Sequence, residues 1–161
     1  MNVYEYAMEM EKVAEAYYRD LSAQTEDEGL KHVMDMMAAE EAKHYLIFKK
    51  MASNESFELP VSTIVKDVKA TFQSMKDSGR TFSFKMDQLH MYRKAKDLED
   101  KAYAYYTDAA EKTADENEKQ ALRKIAQEEL RHVTLLDNIV EFVNRPNQWL
   151  ENAEFNQMEE Y

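Results

Sequence analysis

The chain has 161 residues and a formal net charge of −11, with two glycines, two prolines and no cysteine. The acidic balance disfavours binding to a phosphate backbone, and the missing cysteines exclude disulfides, thiolate metal sites and iron–sulfur clusters. With so few turn formers and so much Ala, Glu, Lys, Leu and Met, the composition predicts an all-α domain.

The first segment opens with "MNVYEYAMEMEK", which has no basic start followed by an apolar stretch, so no secretory signal is expected. Its apolar stripe runs from about Val3 to Ala23 through Tyr6, Ala7, Met10, Ala14, Tyr17, Tyr18 and Leu21. A short loop, "TEDEG", leads to a second stripe from about Leu30 to Met51 carrying Val33, Met34, Met37, Ala38, Tyr45 and Phe48. The connection that follows, about residues 52–88, is long. It holds an amphipathic stretch with Ile64, Val65, Val68, Phe72 and Met75 that Gly79 is expected to stop, so it is predicted to be a crossover with a shorter helix. A third stripe from about Leu89 to Lys112 and a fourth from about Glu118 to Asn144 are joined by "TADEN". Loops this short make each pair antiparallel neighbours. Pro146 suits a first helical turn, and a last short helix over residues 146–158 is expected to pack Trp149 and Phe155 on the bundle or on a partner. No apolar run is long enough to span a bilayer, so no membrane association is expected and the cytoplasm is the default location.

The chain repeats itself. An offset of 88 residues aligns residues 7–44 with 95–132 at 15 identities in 38, pairing Glu11 with Glu99, Tyr17-Tyr18 with Tyr105-Tyr106, Glu40-Glu41 with Glu128-Glu129, and His44 with His132. Glu11 and Glu99 each lie on the apolar stripe of their helix. Glu41 and His44, and likewise Glu129 and His132, are three residues apart and share a helix face. Burying four carboxylates together is costly and drives some of them to take up protons. Two divalent cations would neutralise four ionised glutamates, and two imidazoles would complete the coordination. One Glu from each of two helices and Glu-x-x-His from each of the other two is the pattern of carboxylate-bridged bundles.

Other polar residues are less decided. Tyr18 and Tyr106 lie two turns after Glu11 and Glu99, and either hydrogen-bond ligand carboxylates, donate electrons or simply pack. Glu40 and Glu128 sit about 100° round the helix from their neighbours and are either supports for the ligands or solvated. His32 and His90 have no counterpart in the other half and are expected to be structural or surface residues.

The motifs "MEKVAEAYY" (10–18), "EEAKH" (40–44), "LEDKAYAYY" (98–106) and "EELRH" (128–132) resemble the rubrerythrin-like branch of the ferritin-like superfamily. The resemblance covers both helix pairs. It implies a ferritin-like four-helix bundle with a long crossover between helices 2 and 3, a short C-terminal helix and a di-iron centre. Glu11 and Glu99 would be terminal ligands, Glu41 and Glu129 bridges, and His44 and His132 one ligand to each iron. Two departures stand out. Rubrerythrins usually carry a rubredoxin domain with a four-cysteine iron, and this sequence has no cysteine. They also place a further glutamate one turn after the third-helix ligand, where this chain has Ala102.

The function these observations favour is a di-iron oxidoreductase that reacts with H2O2 or O2 in defence against oxidative stress, drawing electrons from an external protein such as a rubredoxin. The alternative is ferroxidase or iron-handling activity, or metal binding without peroxidase turnover. Mn2+ or Zn2+ is expected to substitute for iron in such a mixed oxygen and nitrogen site. The long crossover and tail fit a small oligomer, a homodimer, rather than a storage shell. No nucleic-acid partner is expected.

Overall fold

The computed structural model describes residues 2–158; Met1 and residues 159–161 of the expected unit lie outside the described residues. Four long helices, α1 (Val3–Gln24), α2 (Glu28–Ala52), α4 (Met86–Lys112) and α5 (Glu116–Asn144), form the bundle. A shorter helix, α3 (Ile64–Asp77), lies in the crossover between α2 and α4. The described residues contain no strand.

Local signals set the helix starts. The side chains of Asn2, Asp27 and Asp115 accept hydrogen bonds from the backbone N–H of Glu5, Leu30 and Glu118, capping α1, α2 and α5. Asp27 and Asp115 are related by the same 88-residue offset as the buried glutamates. These caps start α2 and α5 two residues before their apolar stripes, and α4 begins three residues before Leu89, because a first turn can be exposed and polar. Gly79 has φ +70° just past the end of α3, the left-handed position that terminates a helix. The three-residue connections 25–27 and 113–115 turn the chain back, so α1 packs on α2 and α4 on α5. The two hairpins meet mainly through α1 and α4.

The tail departs from the expected continuous helix over 146–158. After α6 (Pro146–Glu151) the chain breaks at Ala153, whose φ of 53° is left-handed, and continues as a 3-10 turn, Glu154–Gln157. The break folds the tail back, so that Phe155 and Trp149 both reach one aromatic cluster. Trp149 lies 4.8 Å from Phe72 of α3 and 5.5 Å from Phe142 of α5, measured between ring centroids, and 5.9 Å from Phe155. The tail therefore packs on the crossover helix and the bundle of its own chain. Trp149 is fully buried, so Trp149→Ala is expected to destabilise the fold by about 3–5 kcal/mol, read as a lower urea midpoint.

The core is divided. One apolar cluster, including Leu30, Met34, Phe72, Leu136 and Trp149, fills the end beneath the crossover and tail. The other, including Ala7, Phe48, Met51, Ala102, Tyr106 and Leu122, fills the opposite end. Between these two apolar plugs lies a belt of buried carboxylates and imidazoles.

Candidate metal centre

Six ionisable side chains from all four long helices make up this belt. Glu11 (α1), Glu41 and His44 (α2), Glu99 (α4), Glu129 and His132 (α5) are each no more than 2 % exposed. Each sits where its helix stripe faces the bundle axis. The six form two overlapping groups. One contains Glu11, Glu41, His44 and Glu129, the other Glu41, Glu99, Glu129 and His132, and within each group one donor atom per residue lies within 4.8 Å of all the others. Glu41 and Glu129 belong to both.

These atoms converge without bonding to one another. His44 Nδ1 is 2.7 Å from Glu129 Oε1, and His132 Nδ1 is 2.9 Å from Glu41 Oε1. Yet neither imidazole nitrogen makes a hydrogen bond, nor do both oxygens of Glu41 and of Glu129, Glu11 Oε2 and Glu99 Oε2. Unpartnered buried polar atoms are costly. Lone pairs aimed at shared points are what a pair of cations would require, and hard oxygens with imidazole nitrogen suit iron, manganese or zinc. The residues present therefore fit a binuclear metal site.

The surroundings hold these groups in place across the two halves. Tyr18 donates to Glu99 Oε1 at 2.7 Å and Tyr106 to Glu11 Oε1 at 2.6 Å. Burial, reinforced by those carboxylates, pushes both phenols well above 10.0, so they remain donors. His44 Nε2 donates to Glu128 Oε2 at 2.6 Å, which leaves Nδ1 facing the belt. His132 Nε2 faces Glu40 Oε1 at the longer distance of 3.7 Å, and Glu40 accepts instead from the Ser62 hydroxyl of the crossover. Burial pushes the Glu40 carboxyl up, but His132 and Ser62 more than offset this and hold it at about 2. Glu40 and Glu128 are thus buried supports for the opposite half's histidine. His32 and His90 are exposed and stand outside the belt. Ser62 was beyond the reach of the repeat, because the crossover has no equivalent in the second half.

Without metal the belt is electrostatically strained. Burial, then the charges of the other glutamates, pushes Glu41 and Glu129 well above 4.5. Burial acts the same way on Glu99, but the close approach of Glu129, the charge of His132 and the hydrogen bond from Tyr18 bring it below 4.5. The expected proton uptake thus falls on the two carboxylates shared by both groups.

The model of the rubrerythrin family matches residues 2–140. The chain belongs to the rubrerythrin family. Rubrerythrins are di-iron proteins of the ferritin-like superfamily, and the helical bundle and buried belt agree with that membership. No curated protein and no solved structure matches the chain. Among the described residues no helix is long and apolar enough to cross a membrane. Ala102, where the resemblance leads one to expect a further glutamate, is buried in the apolar plug that also holds Tyr106.

Proposed function

We propose that this chain forms one ferritin-like unit acting as a di-iron oxidoreductase that reacts with H2O2 or O2 in defence against oxidative stress, as a cytoplasmic homodimer. The observation that carries this reading is the sharing of Glu41 and Glu129 between two four-residue groups. In it Glu11 and Glu99 are terminal ligands, Glu41 and Glu129 bridge, and His44 and His132 each bind one ion. Iron held there would supply the electrons that break the O–O bond. The protein's own contribution is position and shielding. Tyr18 and Tyr106 hold the terminal carboxylates, and Glu128 orients His44. The two apolar plugs keep bulk water from the belt. The 161 residues contain no cysteine, so the electrons come from outside them, from a one-electron carrier such as a rubredoxin.

Ala102 favours a second reading. Without the further glutamate, the chain is left with the six-residue ligand set and is suited to ferroxidase activity or iron handling. Mixing the iron-loaded, reduced protein rapidly with H2O2 and separately with O2 decides between them. Faster oxidation by H2O2 supports the peroxidase. Faster oxidation by O2 with release of ferric iron supports iron handling, and no reaction with either overturns both.

The supporting carboxylates give a further expectation. Glu128→Gln removes the anionic partner of His44 and is expected to weaken metal binding roughly 10–100-fold at one of the two positions, measured by competition with a chromophoric chelator. Glu40→Gln should cost less, because Glu40 stands 3.7 Å from His132 and is already engaged by Ser62.

A further inference from the structure

We propose that Tyr106, Tyr105 and Tyr6 form a relay that carries an oxidising equivalent from the buried belt to the surface, where a small one-electron donor refills it. The proposal rests on the peroxide reading above.

The three rings run in one line of contact. Tyr106 is fully buried and its hydroxyl donates to Glu11 Oε1 at 2.6 Å. Its ring centroid lies 6.0 Å from that of Tyr105, which in turn lies 4.8 Å from that of Tyr6. Tyr6 is 46 % exposed. Rings at such separations exchange electrons readily, and tyrosine is among the few side chains that can give one up. Tyr106 also touches Phe48 at 4.9 Å, but phenylalanine is much harder to oxidise.

The other half of the repeat lacks this line. The 88-residue offset relates Tyr18 to Tyr106 and Tyr17 to Tyr105, but it relates Tyr6 to Lys94. Tyr18 donates to Glu99 as Tyr106 does to Glu11. Yet the Lys94 ammonium lies over the Tyr17 ring, 5.7 Å from its centroid, and a cation there opposes a positive hole on the ring. One half ends in an exposed phenol and the other in a positive charge, so the relay has one exit.

The step balances as follows. Reduction of H2O2 to two waters takes two electrons and two protons. Where iron held by the belt would supply only one electron, Tyr106 supplies the second and its phenolic proton passes to Glu11 along their hydrogen bond, while the two protons of the new waters come from solvent. An electron then moves inward from Tyr105 and next from Tyr6, and Tyr106 regains its proton. The Tyr6 phenol releases its own proton to water, leaving a neutral phenoxyl radical. A surface hydrogen-atom donor, such as a thiol or a small phenol, restores Tyr6 and carries the radical away. The buried ligands are spared oxidation.

Tyramine serves as the probe, because it couples covalently to a tyrosyl radical. Iron-loaded protein is treated with H2O2 and tyramine without added reductant. Adducts are located by peptide mass spectrometry while peroxide consumption is followed in parallel. The expected result is an iron-dependent adduct at Tyr6 that is lost in Tyr105→Phe. Peroxide consumption with no adduct, with equal adducts on Tyr45 and Tyr103, or with the Tyr6 adduct retained in Tyr105→Phe, overturns the relay alone. Absence of peroxide consumption overturns the peroxide reading and the relay with it.

Discussion

Replacing Glu41 and Glu129 together by alanine is expected to take metal binding from two ions per chain to none while the helices persist. These two carboxylates are the members common to both donor groups, and both oxygens of each are buried without a hydrogen bond. Without them one group retains only Glu11 and His44, the other only Glu99 and His132. Two protein ligands are fewer than even an open metal site uses. Removing Glu11 alone leaves three members in its group, so that variant should still bind, more weakly at one position. His44→Ala and His132→Ala should likewise each weaken one position. Alanine is the best helix former, and neither residue caps a helix, so far-ultraviolet circular dichroism of the double variant should match the parent. Metal content after iron loading and desalting reads the outcome. Two ions retained by the double variant would refute the bridging assignment.

The parts of this arrangement that were legible in the sequence are those written within a single helix. Glu11, Glu41, His44 and their counterparts could be placed because each breaks an apolar stripe, and because the break recurs after 88 residues. The four bundle helices, the crossover helix and its stop at Gly79 followed from period and turn chemistry in the same way. What was not legible depends on which helix faces which. Glu128 supports His44 and Tyr106 supports Glu11, and in both contacts the partners come from opposite halves. Within its own helix Glu128 is only a polar residue beside a ligand, so its burial could not be read from periodicity. Ser62 lies in the crossover before α3, outside any helix, where no period exists to place it. The tail misled for a related reason. Residues 146–158 read as one short helix, but burying both Trp149 and Phe155 in the cluster around Phe72 requires the left-handed break at Ala153, a cost that only the tertiary contacts offset.

Metal-free protein is expected to melt at higher temperature near pH 5.5 than near pH 8, an interval set by ordinary values of about 4.5 for glutamate and 6.5 for histidine. Burial and neighbouring carboxylates push Glu41 and Glu129 well above 4.5. Burial alone would push His44 and His132 below 6.5, but Glu11 and Glu129 around the first and Glu99 beside the second raise both well above it. All four groups hold protons more tightly in the folded chain than in the unfolded one. Their stabilisation is complete below the unfolded value and is lost as pH rises through the folded value. Glu99 and Glu40 act in the opposite sense. Their pKa values are lowered, so their contribution is present above 4.5 and disappears as pH falls through their folded values, Glu40 at about 2. For these groups the metal-free optimum therefore lies near the ordinary glutamate value, with losses on both sides. Metal reverses the slope. The same carboxylates and imidazoles must be deprotonated to bind it, so affinity rises with pH and adds stability in proportion to the logarithm of metal over its dissociation constant. The gap between the melting temperatures of loaded and metal-free protein should widen steadily from pH 5.5 to pH 8, the window set above. Glu41→Gln with Glu129→Gln removes the two raised carboxyls and part of the field that holds protons on the histidines, so its metal-free profile should be flatter. A metal-free parent that gains stability toward pH 8, or a double variant with the parent's slope, would show that these four groups do not share protons in one buried belt.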